Sequence, residues 1–409
     1  MIIYDLILFL VSFLEKVAAL FNKKIALRVN GQKNMYDRIA QTFSKNDSVI
    51  WFHAASLGEF EEGRPVIEKI RQEHPEYKLL LTFFSPSGYE VRKNYKGADL
   101  VLYLPLDTPC KARKFVQTIR PSIAVFIKYE FWFNYINELT QMGSRIFCIS
   151  GRFIPDSEYF HWYGYLYRKA FAKFEHFFVQ DERSVALLKS IGIEQVTQAG
   201  DPRFDRVYDI SQSEWNDAVI ERFVHHQKPI FVAGSTSAND HKLIIDLVNN
   251  HSNNRFIITP HELDESLYQT LENEIKGEVL RYTKCGETTD FSNTQVLIID
   301  IVGILAYIYR YGDMGYIGAG FEKGIHSVIE ASVYGLPCAF GPNIFKNRPA
   351  IEMCGLKLCR AVTTPEDLNE WYDELLSNND FLELQQKQVL DYTLRNKGAT
   401  EIILKNIFK

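Results

Sequence analysis

The chain has 409 residues, with 46 Lys+Arg against 51 Asp+Glu and a formal net charge of −5. Hydrophobic residues make up 46% and charged residues 24%, the balance of a folded globular protein, which excludes disordered and low-complexity classes. No basic excess exists to neutralise phosphates along a duplex, so no nucleic-acid partner is expected, and the length predicts two or three domains.

Residues 1–22, MIIYDLILFLVSFLEKVAALFN, are the most apolar stretch. The segment lacks the charged leader and small-residue cleavage site of a signal peptide. Asp5, Glu15 and Lys16 interrupt it, which makes it a poor spanning helix. Asp5, Ser12, Lys16 and Lys23, spaced 7, 4 and 7, predict one narrow polar face on an otherwise apolar helix. Basic Lys23, Lys24, Arg28 and Lys33 follow. Three readings stand: a helix lying in the plane of a membrane with its basic neighbours toward anionic head groups, a helix buried against the protein's own core, and, least favoured, a single membrane span.

From about residue 45, short apolar runs alternate with amphipathic stretches. Strands are predicted at 48–56, 78–84, 100–104, 123–127, 145–150 and 176–179, and helices near 61–73, 86–96, 109–119, 131–142 and 160–173. A second series follows, with strands at 229–235, 255–259, 277–283, 295–300, 313–318 and 337–340. Its helices are predicted near 238–250, 262–275, 302–311, 326–334, 346–354, 365–377 and 380–396. Strands that are apolar throughout are buried on both faces, and alternation with helices implies parallel pairing. The fold class is therefore α/β, with two Rossmann-like domains facing a cleft. The divisions are an apolar amino-terminal membrane-anchor helix and connection over 1–44, a first (acceptor) domain over 45–205, a linker over 206–225 and a second (donor) domain over 226–380. Residues 381–409 form a carboxyl-terminal helix, a candidate to cross back to the first domain. Six cysteines (Cys110, Cys148, Cys285, Cys338, Cys354, Cys359) form no C-x-x-C pair and read as reduced thiols in a reducing compartment.

Ligands of such sheets bind beyond the carboxyl ends of the strands, so the loops there carry the argument. HAASLGE (53–59) puts Glu59 at the start of a helix, either as a general base or as a carboxylate complementing the helix dipole. KYEFWFN (128–134) puts Glu130 amid aromatics at another strand end, in a functional or a structural hydrogen-bonding role. AGSTSAND (233–240) offers Ser235, Thr236 and backbone amides to an anion, though Ser and Thr are also ordinary helix caps. In YIGAGFEKGIHSVIEASVYGLPCAFGP (316–342), Gly324 precedes a predicted helix carrying Glu330, an arrangement suited to a phosphate and ribose hydroxyls. Lys323 stands where a dinucleotide fingerprint needs glycine, and no Gly-Lys-Ser/Thr of a P-loop occurs. No H-E-x-x-H or D-x-D pattern occurs either, so neither a metal nor another cofactor is expected.

These loops, with TFFSPSG (82–88), YLPLDTP (103–109), GRF (151–153), GDPRFDRV (200–207) and PHE (260–262), recur in this order in the 3-deoxy-D-manno-octulosonic acid (Kdo) transferases. The chain resembles that family from about residue 48 to 355 and in its apolar amino terminus. The resemblance implies a GT-B fold and an inverting glycosyltransferase that moves Kdo from CMP-Kdo to a lipid A precursor in lipopolysaccharide synthesis. It also implies attachment to the cytoplasmic face of a Gram-negative inner membrane. By motif, Glu59 is similar to the general base and Glu130 to a second carboxylate, here within Glu-Phe-Trp. Arg152, Ser235, Thr236, His261, Gly324, His326, Ser327 and Glu330 match the donor-binding positions. The chain departs where Gly324-Ile325-His326-Ser327 replaces a G-G-H-N form and where Pro260-His261-Glu262 shortens a P-R-H-P-E-R run. Rival readings are another GT-B nucleotide-sugar transferase, a UDP-sugar epimerase, and a non-catalytic membrane-associated interaction protein.

Overall fold

A computed structural model describes residues 1–225 and 229–409. Residues 226–228, the expected start of the second domain, lie outside the described residues. The chain divides into two compact units, Met1–Asp205 with Lys397–Lys409 and Arg206–Asn396.

The first unit opens with three helices, α1 (Ile2–Ala18), α2 (Lys23–Gly31) and α3 (Met35–Thr42). It continues β1 (Val49–Ala54), α4 (Leu57–Glu73), β2 (Lys78–Phe83), α5 (Pro86–Arg92), β3 (Leu100–Tyr103), α6 (Pro109–Ile119) and β4 (Ile123–Ile127). Then come α7 (Phe133–Met142), β5 (Arg145–Gly151), α8 (Tyr165–Phe171), β6 (His176–Val179), α9 (Glu182–Ser190) and β7 (Val196–Gln198). The seven strands pair in parallel in the order β3-β2-β1-β4-β5-β6-β7. Because β1 to β5 are apolar at nearly every position, alternate residues feed two separate cores. Trp51, Leu80, Leu102, Ala124 and Phe126 pack on one, and Ile50, Phe52, Leu81, Val101 and Val125 on the other.

The second unit follows α10 (Arg203–Gln212) and α11 (Ala218–Val224) with β8 (Ile230–Thr236), α12 (Ala238–Asn250), β9 (Arg255–Pro260), α13 (Glu265–Glu274), β10 (Glu278–Arg281) and β11 (Thr294–Ile298). It ends with α14 (Leu305–Ile308), β12 (Met314–Ile317), α15 (Ile329–Ser332), β13 (Cys338–Phe340), α16 (Arg348–Gly355), β14 (Cys359–Ala361), α17 (Pro365–Leu376) and α18 (Asn379–Arg395). Its parallel order is β10-β11-β9-β8-β12-β13-β14. The final helix, α19 (Ala399–Ile407), belongs to the first unit. There Ile403, Leu404 and Ile407 enter the core beneath α4, and Asp205 receives the amides of Gly398 and Thr400.

Several expectations need correction. Residues 206–225 hold most of α10 and all of α11 instead of an open linker. The single helix expected over 381–409 is split by Gly398, whose φ of +109° reverses the chain. The helix expected over 160–173 starts only at Tyr165, because a tight turn occupies 157–164. The helix expected over 326–334 is a single turn, Ile329–Ser332. The amides of Ile325 and His326 bond instead to Asn343 O and Gly318 O, and Gly335 at φ +81° stops the far end. The polar stripe on α1 ends before Lys23, because the helix stops at Ala18 and Lys23 opens α2. Among the described residues, no helix is long and apolar enough to cross a membrane. β7 and β14 were silent in the sequence: each is a three-residue edge strand without an apolar run.

Candidate active site

The strand order reverses between β1 and β4 in the first sheet and between β8 and β12 in the second. A doubly wound sheet leaves its ligand crevice at such a reversal, beyond the carboxyl ends of the two strands. The four loops singled out in the sequence are the ones that follow these four strands. Non-glycine residues take positive φ there: Lys128 (+65°) after β4, Ser235 (+53°) within β8 and Ala319 (+68°) after β12. Left-handed backbone at non-glycine residues costs on the order of 1–3 kcal/mol and concentrates at functional sites.

Glu59 is the third residue of α4. Its Oε2 accepts from the Ser56 amide at 2.7 Å and from Ser56 Oγ at 3.0 Å, closing a capping box. The S-x-x-E spacing explains why the helix begins at Leu57. Glu59 is thus held at the mouth of the β1 loop, where it complements the start of the helix.

Glu130 follows β4. Its Oε2 accepts from Trp132 Nε1 at 2.8 Å and lies 3.3 Å from His53 Nε2. His53 is buried at the end of β1, with Nδ1 2.9 Å from Thr82 Oγ1. Thr82 in turn accepts from the Trp51 indole at 2.8 Å. Two neighbouring strands and an indole therefore fix one carboxylate. Trp132 also packs on Phe84 (5.0 Å between centroids), which carries the Arg28 guanidinium on its face at 4.2 Å. Arg28 is paired with Glu15 of α1. A continuous set of contacts runs from the amino-terminal helix to Glu130.

Deeper in the same unit, Glu62 is buried against Lys128 Nζ at 2.6 Å and accepts from Gln180 Nε2 at 3.2 Å. Burial pushes the Glu62 carboxyl up, opposed by Arg203 and Lys128. Burial would raise buried Asp201 as well, but the Arg203 guanidinium and its hydrogen bonds hold it below the usual carboxylate range. The Glu62–Lys128 pair braces the strained residue two positions before Glu130. Arg152 lies after β5, its Nε 3.7 Å from Asp181, and belongs to the first unit, apart in the chain's division from the other matched donor positions.

In the second unit, Thr236 Oγ1 is buried 3.2 Å from His241 Nε2, and its carbonyl accepts the His261 amide at 2.9 Å. The rings of His261 and His326 lie 4.2 Å apart. Burial, with His261 beside it, pushes the His326 imidazole below its ordinary value. Gly318 sits so close to β8 that a Cβ would fall 2.1 Å from Ser235 O, and a Cβ on Gly320 would meet Gly341 backbone at 2.4 Å. Gly324 has φ +129°, Ser327 is half-buried in the same loop, and Glu330 lies in the single turn of α15. This turn is too short to build the helix dipole that the sequence reading assigned to phosphate binding. The polar groups at this end of the sheet are the backbone amides and side chains of the β8 and β12 loops.

Asp240 escaped the sequence reading. Fully buried, it accepts from the Ser237 amide (2.7 Å), Ser237 Oγ (2.8 Å), Tyr316 Oη (2.8 Å) and the Ala319 amide (2.9 Å). It caps α12 and ties the β8 loop to the β12 loop. The S-x-x-D spacing was its visible signal. His53 and Glu62 gave no such signal, since their partners are distant in sequence.

Residues 32–206 match the family model described as 3-Deoxy-D-manno-octulosonic-acid transferase (kdotransferase). A 3-deoxy-D-manno-octulosonic acid transferase of Chlamydia trachomatis serovar A is 24% identical over 350 residues, 83% of this chain and 81% of that protein. The chain is thus similar to glycosyltransferases of the Kdo transferase type over most of its length. A bifunctional glycosyltransferase/methyltransferase of Fusobacterium nucleatum subsp. nucleatum is 28% identical over 322 residues, 74% of this chain. The chain spans about half of that protein's length (49%). Its fold is similar to a UDP-GlcNAc 2-epimerase from Neisseria meningitidis bound to UDP-GlcNAc, with TM-score 0.61 and 14% identity over 88% of this chain and 99% of that one. The two parallel sheets are thus GT-B-like.

Proposed function

We propose that this protein transfers Kdo from CMP-Kdo to a lipid A precursor with inversion at the anomeric carbon. The observation that carries the reading is the pair of carboxylates, Glu59 and Glu130, fixed beside the strand reversal of the first sheet. Glu59 takes the proton of a primary sugar hydroxyl as that oxygen attacks the anomeric carbon of Kdo, and the C–O bond to CMP breaks with its electron pair leaving on the phosphate. Glu130, held by Trp132 and His53, stabilises the developing oxocarbenium charge. Ser235, Thr236, His326, Ser327 and the neighbouring amides bind CMP. Glu330 accepts from ribose hydroxyls.

A lipid acceptor also accounts for α1. Ile2, Ile3, Leu6, Phe9, Leu10 and Phe13 are all more than half exposed, a poor surface in water and a good one in a bilayer interface. Its polar side is engaged elsewhere: Asp5 accepts from Asn134 Nδ2, Ser12 from Lys111, and Tyr4 donates to Asp107. In this reading α1 lies in the plane of the inner membrane's cytoplasmic face and the body hangs beneath it.

The test is to incubate the detergent-purified full chain with tetraacyl lipid A precursor and CMP-Kdo made in situ, and weigh the lipid. A gain of one or more Kdo units is expected and counts the sugars added. No gain while a known Kdo transferase works in parallel would sink the reading. Turnover or selective binding of a UDP-sugar would then point to another nucleotide-sugar enzyme.

A further inference from the structure

Between β5 and α8 the chain displays a cluster of large exposed side chains. Trp162 is 88% exposed, Tyr163 57%, Tyr165 54% and Ile154 53%. This is a built turn. Arg168 donates to three backbone carbonyls: Tyr159 O at 3.1 Å, His161 O at 2.7 Å and Trp162 O at 3.1 Å. The Gly164 amide donates to His161 O at 3.0 Å, and a Cβ at 164 would fall 2.3 Å from Glu158 O. Beneath the turn, Tyr159, Phe160 and Tyr167 pack on the first unit's core. A scaffold that holds a tryptophan almost wholly in solvent presents it to something.

A row of rings links the helix after the turn to α1. Tyr167 meets Phe133 edge-on at 5.0 Å between centroids, and Phe133 meets Tyr4 in the same way at 4.9 Å. Tyr4 is flanked by Ile2 and Ile3, 86% and 75% exposed. One row of rings therefore has the bare start of α1 at one end and the bare aromatic turn at the other. The ammonium of Lys169 covers the Tyr165 ring at 4.5 Å, which places a positive charge among the aromatics.

We propose that residues 154–165 form a second membrane-contacting element, seated at the head-group level of an anionic bilayer beside α1. This rests on the reading of α1 as an in-plane helix. Trp and Tyr favour that zone because the ring enters the acyl boundary while the N–H or O–H stays with the head groups. Lys169 is placed for anionic phosphates. A lone helix in the interface leaves the attached domain free to roll about the helix axis. A second contact off that axis fixes the roll, and with it the direction in which Glu59 and Glu130 face the lipid.

The test uses the full chain with vesicles of phosphatidylethanolamine and phosphatidylglycerol, some carrying lipids brominated just below the head group or deep in the chains. The sequence has five tryptophans, so the difference in emission between the wild type and Trp162→Ala isolates Trp162. We expect that difference to shift to the blue on vesicle binding and to be quenched by shallow bromines more than by deep ones. Trp162→Ala with Tyr163→Ala should weaken vesicle binding on the order of tenfold, with melting temperature unchanged because both side chains are exposed. Phe9→Ser with Phe13→Ser tests α1 separately. If wild type binds vesicles through α1 while Trp162 is neither shifted nor quenched, the turn is off the membrane and this proposal falls while the α1 reading stands. If wild type does not bind at all, both fall. A vesicle-free self-association abolished by Trp162→Ala would assign the turn to a second copy of the chain and overturn the lipid proposal.

Discussion

Replacing Glu59 separates its two roles, since the same carboxylate closes the capping box of α4 and is placed to act as base. In Glu59→Ala, two donors at Ser56, held at 2.7 and 3.0 Å, lose their partner. Loss of a cap costs about 0.5–2 kcal/mol, and 1 kcal/mol lowers the melting temperature of a unit this size by about 2–4 °C. Glu59→Gln keeps an amide oxygen in the box, and Gln is tolerated there, so stability should change by no more than about 0.5 kcal/mol. Gln takes up no proton, so transfer should fall roughly 100- to 10,000-fold, the range general base catalysis supplies. The assay is the initial rate of Kdo addition by mass spectrometry, alongside thermal melts of the wild type and both variants. Both variants should be equally inactive and only the alanine variant destabilised. A glutamine variant close to wild-type rate, with the alanine loss following its lower stability, would leave Glu59 as a helix cap alone.

Asp107 gives a pH-dependent prediction. Its carboxyl accepts from Tyr4 Oη and the Asn134 and Tyr135 amides, yet burial dominates and pushes it up to about 7. The folded state therefore holds a proton that the unfolded chain releases near pH 4, so this group's contribution to stability falls as pH rises from about 4 to 7. In melts across that range, the wild type should lose stability relative to Asp107→Asn; parallel profiles would show that the carboxyl is ionised throughout. Gly318→Ala should destabilise the second unit by about 1–3 kcal/mol, because the new Cβ meets Ser235 O and Thr236 Cα. Titration with CMP should show weakened binding in the same variant, and unchanged affinity would place the nucleotide away from the β8 and β12 loops.

The α/β class and nearly every central strand were legible in the residue pattern. Runs such as IAVFI have no polar position to expose, so they fit only a strand covered on both faces. The four candidate loops were legible for a related reason: small residues and hydroxyls interrupt the chain where an apolar strand has just ended. Glu59 and the cap it closes are local chemistry within four residues. Tertiary structure decided what depends on chain segments meeting. His53 and Glu130 lie 77 positions apart and meet only because β1 and β4 are neighbours at the strand reversal. The 326–334 segment has the composition of a helix, but the His326 amide bonds to Gly318 O, the preceding Ile325 amide bonds to Asn343 O, and one turn is left. Glu62 reads as a solvated helix carboxylate until Lys128 and Arg203 arrive from elsewhere to pair it. Periodicity and capping are short-range and written in the chain, whereas pairing a buried charge needs a partner that only folding delivers.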